Sequence, residues 1–541
     1  MPGKSNNNNN NNNDIQESKI SFNAWKILAI LSSIATMVLY AETMLIPAIP
    51  HLINDFSITY STSSWILSSY LISGAISVPI AGKLSDMYGR KKILLIVMII
   101  YTVGVVGGAI STDIYSMLIS RTVQGIGMSV FPIVFAIVQD QFPRNKAAIA
   151  QGTLASMFAF GGVLGLLAGG NIIEHFGWRA TFYSVIPVAV LLIIIILHYV
   201  QVKESTKILI QQKNSSIEEK KDTKKYPGKQ MRQTRLTKDI INSGIITRLD
   251  IKGAIFLAIT ITSFLSALTL IQSSENTNLL KPSYVSWEIV LLCFMGSASL
   301  ATFIIVERKA SSSLIDFKLI SQKSILISNI IVIIWGICTF AIFQTIPILV
   351  QSPVLAGGIG GNAVYAANIQ LPFSITSLIF GPTSGFIISR IGSSKVTLIG
   401  SIVTTVGVLG TLLFHTNAIQ LAINLAIIGV GLSLLNVGQL NINTTSAPPR
   451  FIGLSLGINT LLRYIGSAIG PTVAGMLMQT NQSLIKISDG ISKAFPSRQS
   501  YDFIFMFILI LAAITIFLSM KIMHGRLDKI SVSRQQEPEN A

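Results

Sequence analysis

Apolar residues run in long, nearly unbroken stretches along this chain, with polar connectors between them. The first stretch extends from Trp25 to Pro50, and others follow at about 63–82, 93–111, 114–139, 148–173 and 181–200. After a long polar interval come stretches at about 251–273, 286–306, 324–350, 361–388, 396–415, 418–440, 452–478 and 501–521. At a rise of 1.5 Å per residue, each is about long enough to cross a hydrocarbon layer of about 30 Å. The pattern predicts an all-α polytopic membrane protein with fourteen transmembrane helices. The first stretch is too long for a secretory h-region and carries no small-residue cleavage site, so it is expected to be a retained span.

The connectors are of two kinds. Those holding Lys83 to Lys92, Arg144 with Lys146, the 201–250 interval, Arg308 to Lys323, Arg390 with Lys395, Arg450, and the tail from Lys521 are basic. The alternating ones near Asp55, Asp113 and Gly357 carry almost no cations. Excess Lys and Arg marks the cytoplasmic side, so both termini are expected there, in a multi-pass protein of the cell membrane. Arg179 and the loop with Lys486, Lys493 and Arg498 fit this rule least. The formal charge of +17 therefore reflects membrane topology and not nucleic-acid binding. Half the residues are hydrophobic, 12% are charged and the mean hydropathy is +0.63, far from a soluble domain. Cys293 and Cys338 both fall inside apolar stretches, where they act as small hydrophobes.

The expected organisation is a disordered N-terminal tail with an asparagine tract (1–24), a six-helix half (25–200), a charged cytoplasmic linker (201–250), two extra helices (251–306), a second six-helix half (324–521) and a cytoplasmic tail (522–541). A repeat supports the two halves independently of hydropathy. Gly82 and Gly89 after Pro79 correspond to Gly385 and Gly392 after Pro382, Gly125 and Gly127 to Gly429 and Gly431, and Gly152, Gly161, Gly165 and Gly170 to Gly457, Gly466, Gly470 and Gly475. The offsets are 303, 304 and 305 positions, and the near-constant spacing puts the stretches at 251–273 and 286–306 outside the repeat.

Local motifs sharpen the picture. Gly82-Lys-Leu-Ser-Asp86-Met-Tyr-Gly89-Arg90-Lys-Lys resembles the loop between the second and third helices of the major facilitator superfamily of transporters. Arg121-Thr-Val-Gln-Gly125-Ile-Gly127 is similar to the superfamily's fourth-helix motif, and Ala41-Glu42-Thr43 through Pro47 to Pro50 resembles the end of its first helix. Phe176-Gly-Trp178-Arg179 with Phe182 and Pro187 resembles the start of the sixth helix in its drug:proton antiporters. With fourteen spans, the chain resembles the fourteen-span drug:proton antiporter family over residues 25 to 521. One departure stands out. In the family's fifth-helix signature, Gly152, Gly161, Gly165, Gly169 and Gly170 are in place, but Leu166 stands where proline is expected, and the proline appears instead as Pro471 in the second half. Close helix packing through these glycines is expected, while the bend that proline gives is in question.

Glu42 is the leading candidate for proton or cation coupling. It lies about eight residues before Pro50, roughly 12 Å inside the membrane, where an ionisable group is a functional site by default. Burial favours its protonated form and a nearby cation its ionised form, so it can bind a proton or a cationic substrate but cannot hold both well. Arg121, about eight residues from Asp113, is expected at the same depth of roughly 12 Å and to tune Glu42 directly or through water; the resemblance implies a role in proton transfer. Arg463 is expected near the midplane, where it would favour anionic substrates. The resemblance also implies a conformational gate at Gly82, Asp86, Gly89 and Arg90, with Asp86 accepting from a helix N-terminus, Arg90 pairing with Asp140, and the halves latched on the cytoplasmic side. Phe158, Phe160, Trp335, Phe340, Phe343 and Gln344 are candidates for a substrate cavity, and Asn436, Gln439 and Asn443, on one helical face, are read as solvated.

The reading is a secondary active transporter that exports amphipathic, cationic compounds in exchange for protons. The alternative is a proton-coupled or facilitative importer of a small metabolite, favoured by Leu166 and Arg463. The connectors contain no metal-ligand cluster, nucleotide loop or nucleophile–base spacing, so neither an enzyme nor a cofactor is expected, and active transport must draw on an ion gradient, with H⁺ as the coupling ion. The expected partners are a small-molecule substrate and the lipid bilayer, with no nucleic acid and no obligate protein partner.

Overall fold

A computed structural model of the 541-residue chain describes residues 22–142, 147–200, 251–273, 287–309, 317–448, 451–487 and 491–535. Of the tail expected over 1–24, Phe22 to Ala24 are already helical; the linker expected over 201–250 lies outside the described residues. The first span is built from α1 (Phe22–Thr43), a 3₁₀ turn (Ile46–Ala48) and α2 (Ile49–Asp55). Next come α3 (Tyr60–Tyr88) and α4 (Arg90–Ala109), then α5 (Ile114–Gly125) joined through a 3₁₀ turn to α6 (Val130–Gln141). The half closes with α7 (Ala147–Phe176) and α8 (Trp178–Tyr199). The inserted pair is α9 (Ile251–Ser273) and α10 (Trp287–Lys309), followed by the short α11 (Phe317–Ile320). The second half holds α12 (Lys323–Gln351), α13 (Ala363–Ile391), α14 (Ser393–Leu413), α15 (Ala418–Ser446), α16 (Ile452–Thr480) and α17 (Arg498–Gln535). Among the described residues thirteen helical spans are long and apolar enough to cross a membrane, and α9 is a further helix, apolar over Ile255–Leu268.

Local chemistry sets the helix ends. Four of the helices that start away from the basic connectors carry side-chain caps, which supply acceptors for otherwise unpaired amides. Thr59 accepts from the amide of Thr62, Asn362 from Tyr365, and Asn417 from Ile419 and Gln420, while Asp113 forms a reciprocal capping box with Ser116. At the basic end, Gly89 and its repeat counterpart Gly392 take positive φ (96° and 86°), which turns the chain sharply between helices. Pro47 and Pro50 do not end the first span. Each sits in the first turn of a short helix, where the missing amide hydrogen costs nothing, and the chain stays helical to Asp55. The last helix likewise runs on to Gln535, past the predicted limit of 521.

The halves pack by the same scheme. α1 lies on α7 as α12 lies on α16, α4 on α5 as α14 on α15, and α4 on α8 as α14 on α17. Gly161 packs on the carbonyl of Thr36 and Gly165 on that of Tyr40; Gly466 packs on Ile333 and Gly470 on Ile337 in the second half. These contacts bring backbones close enough that a Cβ has no room, the device by which membrane helices gain dispersion contact without a hydrophobic drive. Two seams join the halves, α3 against α16 and α7 against α13, and α9 packs on both α3 and α16. The inserted pair thus sits over one seam.

Among the described residues, the halves are closed together at the end away from the basic connectors. Away from the basic connectors, Gln351 donates to the Pro47 carbonyl (2.9 Å), the Ala363 amide to Glu174 (3.3 Å), the Tyr60 amide to Gln479 (3.2 Å) and Gln344 to Ser63 (3.0 Å). An antiparallel hairpin of β1 (Gln482–Ile487) and β2 (Ile491–Pro496) covers this end, and its Lys493 donates to Asn54. The loop that fitted the charge rule least is therefore a folded element with a partner for its lysine. At the basic end Gly82, Gly152, Gly385 and Gly457 face open space. This is a state open toward the basic connectors.

The expected small-residue packing thus holds for Gly161, Gly165 and Gly169, the last against the Met44 carbonyl, while Gly170 packs across the seam on Ala363 and Ala367. It does not hold for Gly152, because the end of α7 that carries it has nothing opposite in this state. Gly161→Leu and Gly466→Leu should each destabilise the purified protein by about 1–3 kcal/mol, the usual cost of overpacking, seen as a lower thermal midpoint. Gly152→Ala should leave that midpoint in place, and an equal fall in all three would contradict the packing scheme.

Candidate functional site

Glu42 lies in the last turn of α1, just before the helix breaks. Its neighbour Thr43 donates to the carbonyls of Leu39 and Gly162 (both 3.0 Å), which pins this turn to α7. Because α2 continues to Asp55, Glu42 is about 20 Å along the span from its far end, deeper than the position of Pro50 suggested. Its side chain is buried (7% exposed) and accepts no hydrogen bond from a described residue. A carboxyl left so free of protein donors can take up a proton or a cation without first breaking a bond.

Arg121 on α5 is fully buried and is held by neutral groups. Its Nε donates to the Ile66 carbonyl (3.1 Å), Nη1 donates to Gln124 (2.8 Å), and the guanidinium lies 4.5 Å from the centre of the Tyr70 ring. Its Nη2 and the Tyr70 hydroxyl are buried with no hydrogen-bond partner. Arg121 and Glu42 do not form an ion pair. Glu42 and Arg121 belong to the first half, and a third ionisable group within the spans, Arg463, belongs to the second. Arg463 is half-buried on α16, its guanidinium 4.9 Å from the Tyr464 ring centre and 5.9 Å from that of Trp335 on α12. The centre of the molecule therefore holds two permanently charged guanidiniums and one carboxyl, drawn from both halves.

The other cavity candidates divide. Trp335 stays beside Arg463, its indole donating to the Leu432 carbonyl (3.0 Å). Phe343 is instead packed between Phe340 and Phe373, with ring centres 5.5 Å away on either side. Gln344 is fully buried and ties α12 to α3 through Ser63, so it belongs to the closed seam and does not line a free wall. Phe160 lines a separate groove of about 730 Å³ between α1, α7 and α8, together with Trp25, Thr36, Tyr40 and Met157.

At the basic end, Arg90 donates to Asp140 and to the Ala136 carbonyl (2.6 Å), and sits 3.6 Å from Asp86. Asp86 accepts no helix-capping hydrogen bond from the amides at the start of α4. It lies in the last turn of α3, which runs to Tyr88, and its side chain is 68% exposed. The charged cluster joins α3, α4 and α6 within one half. Among the described residues, none of these Arg90 contacts crosses to the other half.

One cluster was misread from the sequence. Gln439 and Asn443 are fully buried in a carboxamide network linking α12, α15 and α16. Asn329 accepts from Asn443 (2.9 Å) and Asn459 (3.0 Å), and Gln439 accepts from Ser328 (2.9 Å) and Asn459 (3.2 Å). The shared face was visible in the sequence; that it meets Asn329 and Asn459 on other helices was not.

Known proteins align with this chain along most of its length. The family profile described as Major Facilitator Superfamily matches residues 31–372 and 365–540. Multidrug resistance protein 3 of Bacillus subtilis (strain 168) is 27% identical over 458 residues, which cover 83% of this chain and 78% of that protein. The multidrug transporter protein MdtP of the same organism is 25% identical over 438 residues, 80% of this chain and 71% of that protein. Among solved structures, the xylose transporter XylE from E. coli superposes with a TM-score of 0.55 at 11% identity, covering 92% of this chain and 99% of that one. That likeness is one of fold.

Asn459→Ala removes one hydrogen bond to Asn329 and one to Gln439, each worth about 0.5–1.5 kcal/mol net, so it should destabilise the purified protein by about 1–3 kcal/mol. Asn436→Ala, at a half-buried residue that only accepts a 3.3 Å bond from Gln439, should change the midpoint far less. Equal effects would rule out the network as a stabilising unit.

Proposed function

The chain belongs to the Major Facilitator Superfamily, and on that premise we propose that it exports amphipathic compounds carrying a cationic group across the cell membrane in exchange for protons. It is a membrane transporter and not an enzyme. The observation that carries the reading is Glu42, a buried carboxyl free of protein hydrogen bonds among described residues, in a site built from both halves. A proton and a cationic group compete for such a carboxyl, and mutual exclusion is what exchange requires. The names of the multidrug relatives support the substrate range. Both termini lie in the cytoplasm on this reading, so the state described is the one that loads substrate from inside, and rocking of the halves about the central charges delivers it outside. Arg121 holds its place through neutral partners and acts on Glu42 from beside it. Gly82, Asp86, Gly89, Arg90 and Asp140 serve as the gate that forms when this end closes.

A proton-coupled or facilitative importer is the second reading, and Arg463, a half-buried cation on α16, is the observation that favours it.

Uptake of a fluorescent lipophilic cation of fixed charge into proteoliposomes with an acidic lumen separates the two. Wild type should accumulate the dye as long as the gradient lasts, and Glu42→Gln, folded to the same midpoint, should lose the gradient-driven part. Absence of gradient-driven movement in folded wild-type protein would sink the antiport reading.

A further inference from the structure

The groove between α1, α7 and α8 lies apart from the central charges. Most of the accessible residues of α1 fall on one stripe, Phe22, Lys26, Ala29, Ser33, Thr36 and Tyr40, at the i, i+3, i+4 spacing of a single helix face. The groove, about 730 Å³, runs along this stripe. Tyr40 is two residues from Glu42 and so about 200° round the helix from it, which puts the groove behind α1 as seen from the carboxyl. Its size and its mainly apolar walls are those of a small-molecule pocket. Phe160 and Val188 on the walls are 40% and 44% exposed, so it opens sideways to the bilayer. The hydroxyls inside it are bonded with one exception. Ser33 donates to the Ala29 carbonyl (3.0 Å), Thr36 to that of Met157 (3.1 Å) and Ser184 to that of Thr181 (2.6 Å), while Tyr40 pairs with Ser184 (3.0 Å). Ser32 lines the groove at 7% exposure, and its Oγ has no partner among the described residues. A buried donor left unpaired costs about 1–3 kcal/mol, so an occupant with an acceptor at this point is favoured. At the basic end the mouth carries Trp25, set edge-to-face on Phe142 (5.8 Å), and Lys26, whose ammonium lies 4.6 Å from the Phe22 ring centre. Such residues mark a bilayer interface. Ser32 is six residues beyond Lys26, about 9 Å deeper, and the headgroup layer is about 5–8 Å thick. The unpaired hydroxyl therefore sits where phospholipid esters meet the hydrocarbon.

We propose that this groove is a binding site for one anionic phospholipid, with its phosphate at Lys26, an ester carbonyl accepting from Ser32, and an acyl chain laid along α1 as far as the Tyr40–Ser184 pair. From Ser32 to Tyr40 the groove runs eight residues, about 12 Å into the hydrocarbon, between walls that include Met37, Met157, Phe160, Val185 and Val188. Each part of the lipid meets a group that suits it. A plain alkyl chain would fill the walls but leave Ser32 unpaired, and a lipophilic ammonium would bring it a donor where an acceptor is needed. A zwitterionic headgroup would set a second cation beside Lys26, which is why the anionic lipid is preferred. The proposal does not depend on antiport or on the substrate, only on the chain's spanning a membrane. All three walls belong to the first half, so the lipid is a fixed part of that half and not of the seam.

The test is native mass spectrometry of the full-length protein released from nanodiscs made of equal parts phosphatidylglycerol and phosphatidylcholine. Wild type should retain one phosphatidylglycerol in preference to phosphatidylcholine. Ser33→Phe, which places a ring in the groove from an exposed position, and Lys26→Gln should each lower the retained fraction about tenfold. Ser32→Ala should weaken retention of the ester lipid and leave that of its ether-linked analogue, which has no ester carbonyl, as in wild type. Lys521→Gln, an exposed basic-end lysine on α17, serves as the control and should change nothing. Wild type that keeps no lipid or keeps both lipids equally, a Ser33→Phe variant that retains as much as wild type, or an equal loss in the Lys521 control would each overturn the proposal. The soluble headgroup, glycerophosphoglycerol, should leave the thermal midpoint unchanged, and a rise with it alone would assign the site to a free phosphate instead. Wild-type lipid preference and the headgroup comparison decide should a groove variant fail to fold.

Discussion

An ionised side chain in the interior of a membrane costs several kcal/mol unless other charges, dipoles or water compensate it, and this molecule places three such groups at its centre. Arg121 is compensated by a carbonyl, a carboxamide and an aromatic face. Glu42 accepts no hydrogen bond from a described residue, and Arg463 lies half-buried against the Tyr464 and Trp335 rings.

The surrounding structure makes the centre movable without making it loose. Within each half, glycines of α7 and α16 let backbones touch, and the carboxamide network locks α12, α15 and α16 by bonds with no charge. Between halves, the contacts at the closed end are single hydrogen bonds, one of them from a hairpin lysine to Asn54. Each bond is worth on the order of 1 kcal/mol net, so the seam at this end can open at modest cost while the halves stay intact. α9 of the inserted pair rests on both α3 and α16, at the seam between them.

Much of the architecture was legible because a membrane enforces a simple pattern. Spanning length, connector charge and glycine spacing each read out one constraint, and they agree on two packed halves and an inserted pair. The site was legible as far as depth and charge reach: Glu42, Arg121 and Arg463 stand out because ionisable groups are rare in apolar stretches. Their partners were not, since helix rotation decides whether Gln344 faces a cavity or Ser63 and whether Asn443 meets water or Asn329. Pro47 and Pro50 misled for a local reason, because proline ends a helix in its interior but starts one in its first turn. The hairpin at 482–496 was hidden by its shortness, six residues a strand, and by lysines that looked like a misplaced basic loop.

The competition at Glu42 is tested most directly by proton release on binding. Purified wild-type protein in a weak buffer, at a pH where the site is protonated, should release protons as a cationic substrate is added, saturating with the binding curve. The Glu42→Gln variant should release none. Substrate binding without proton release in the wild type, or the same release from the variant, would contradict the claim that proton and substrate exclude each other at this carboxyl.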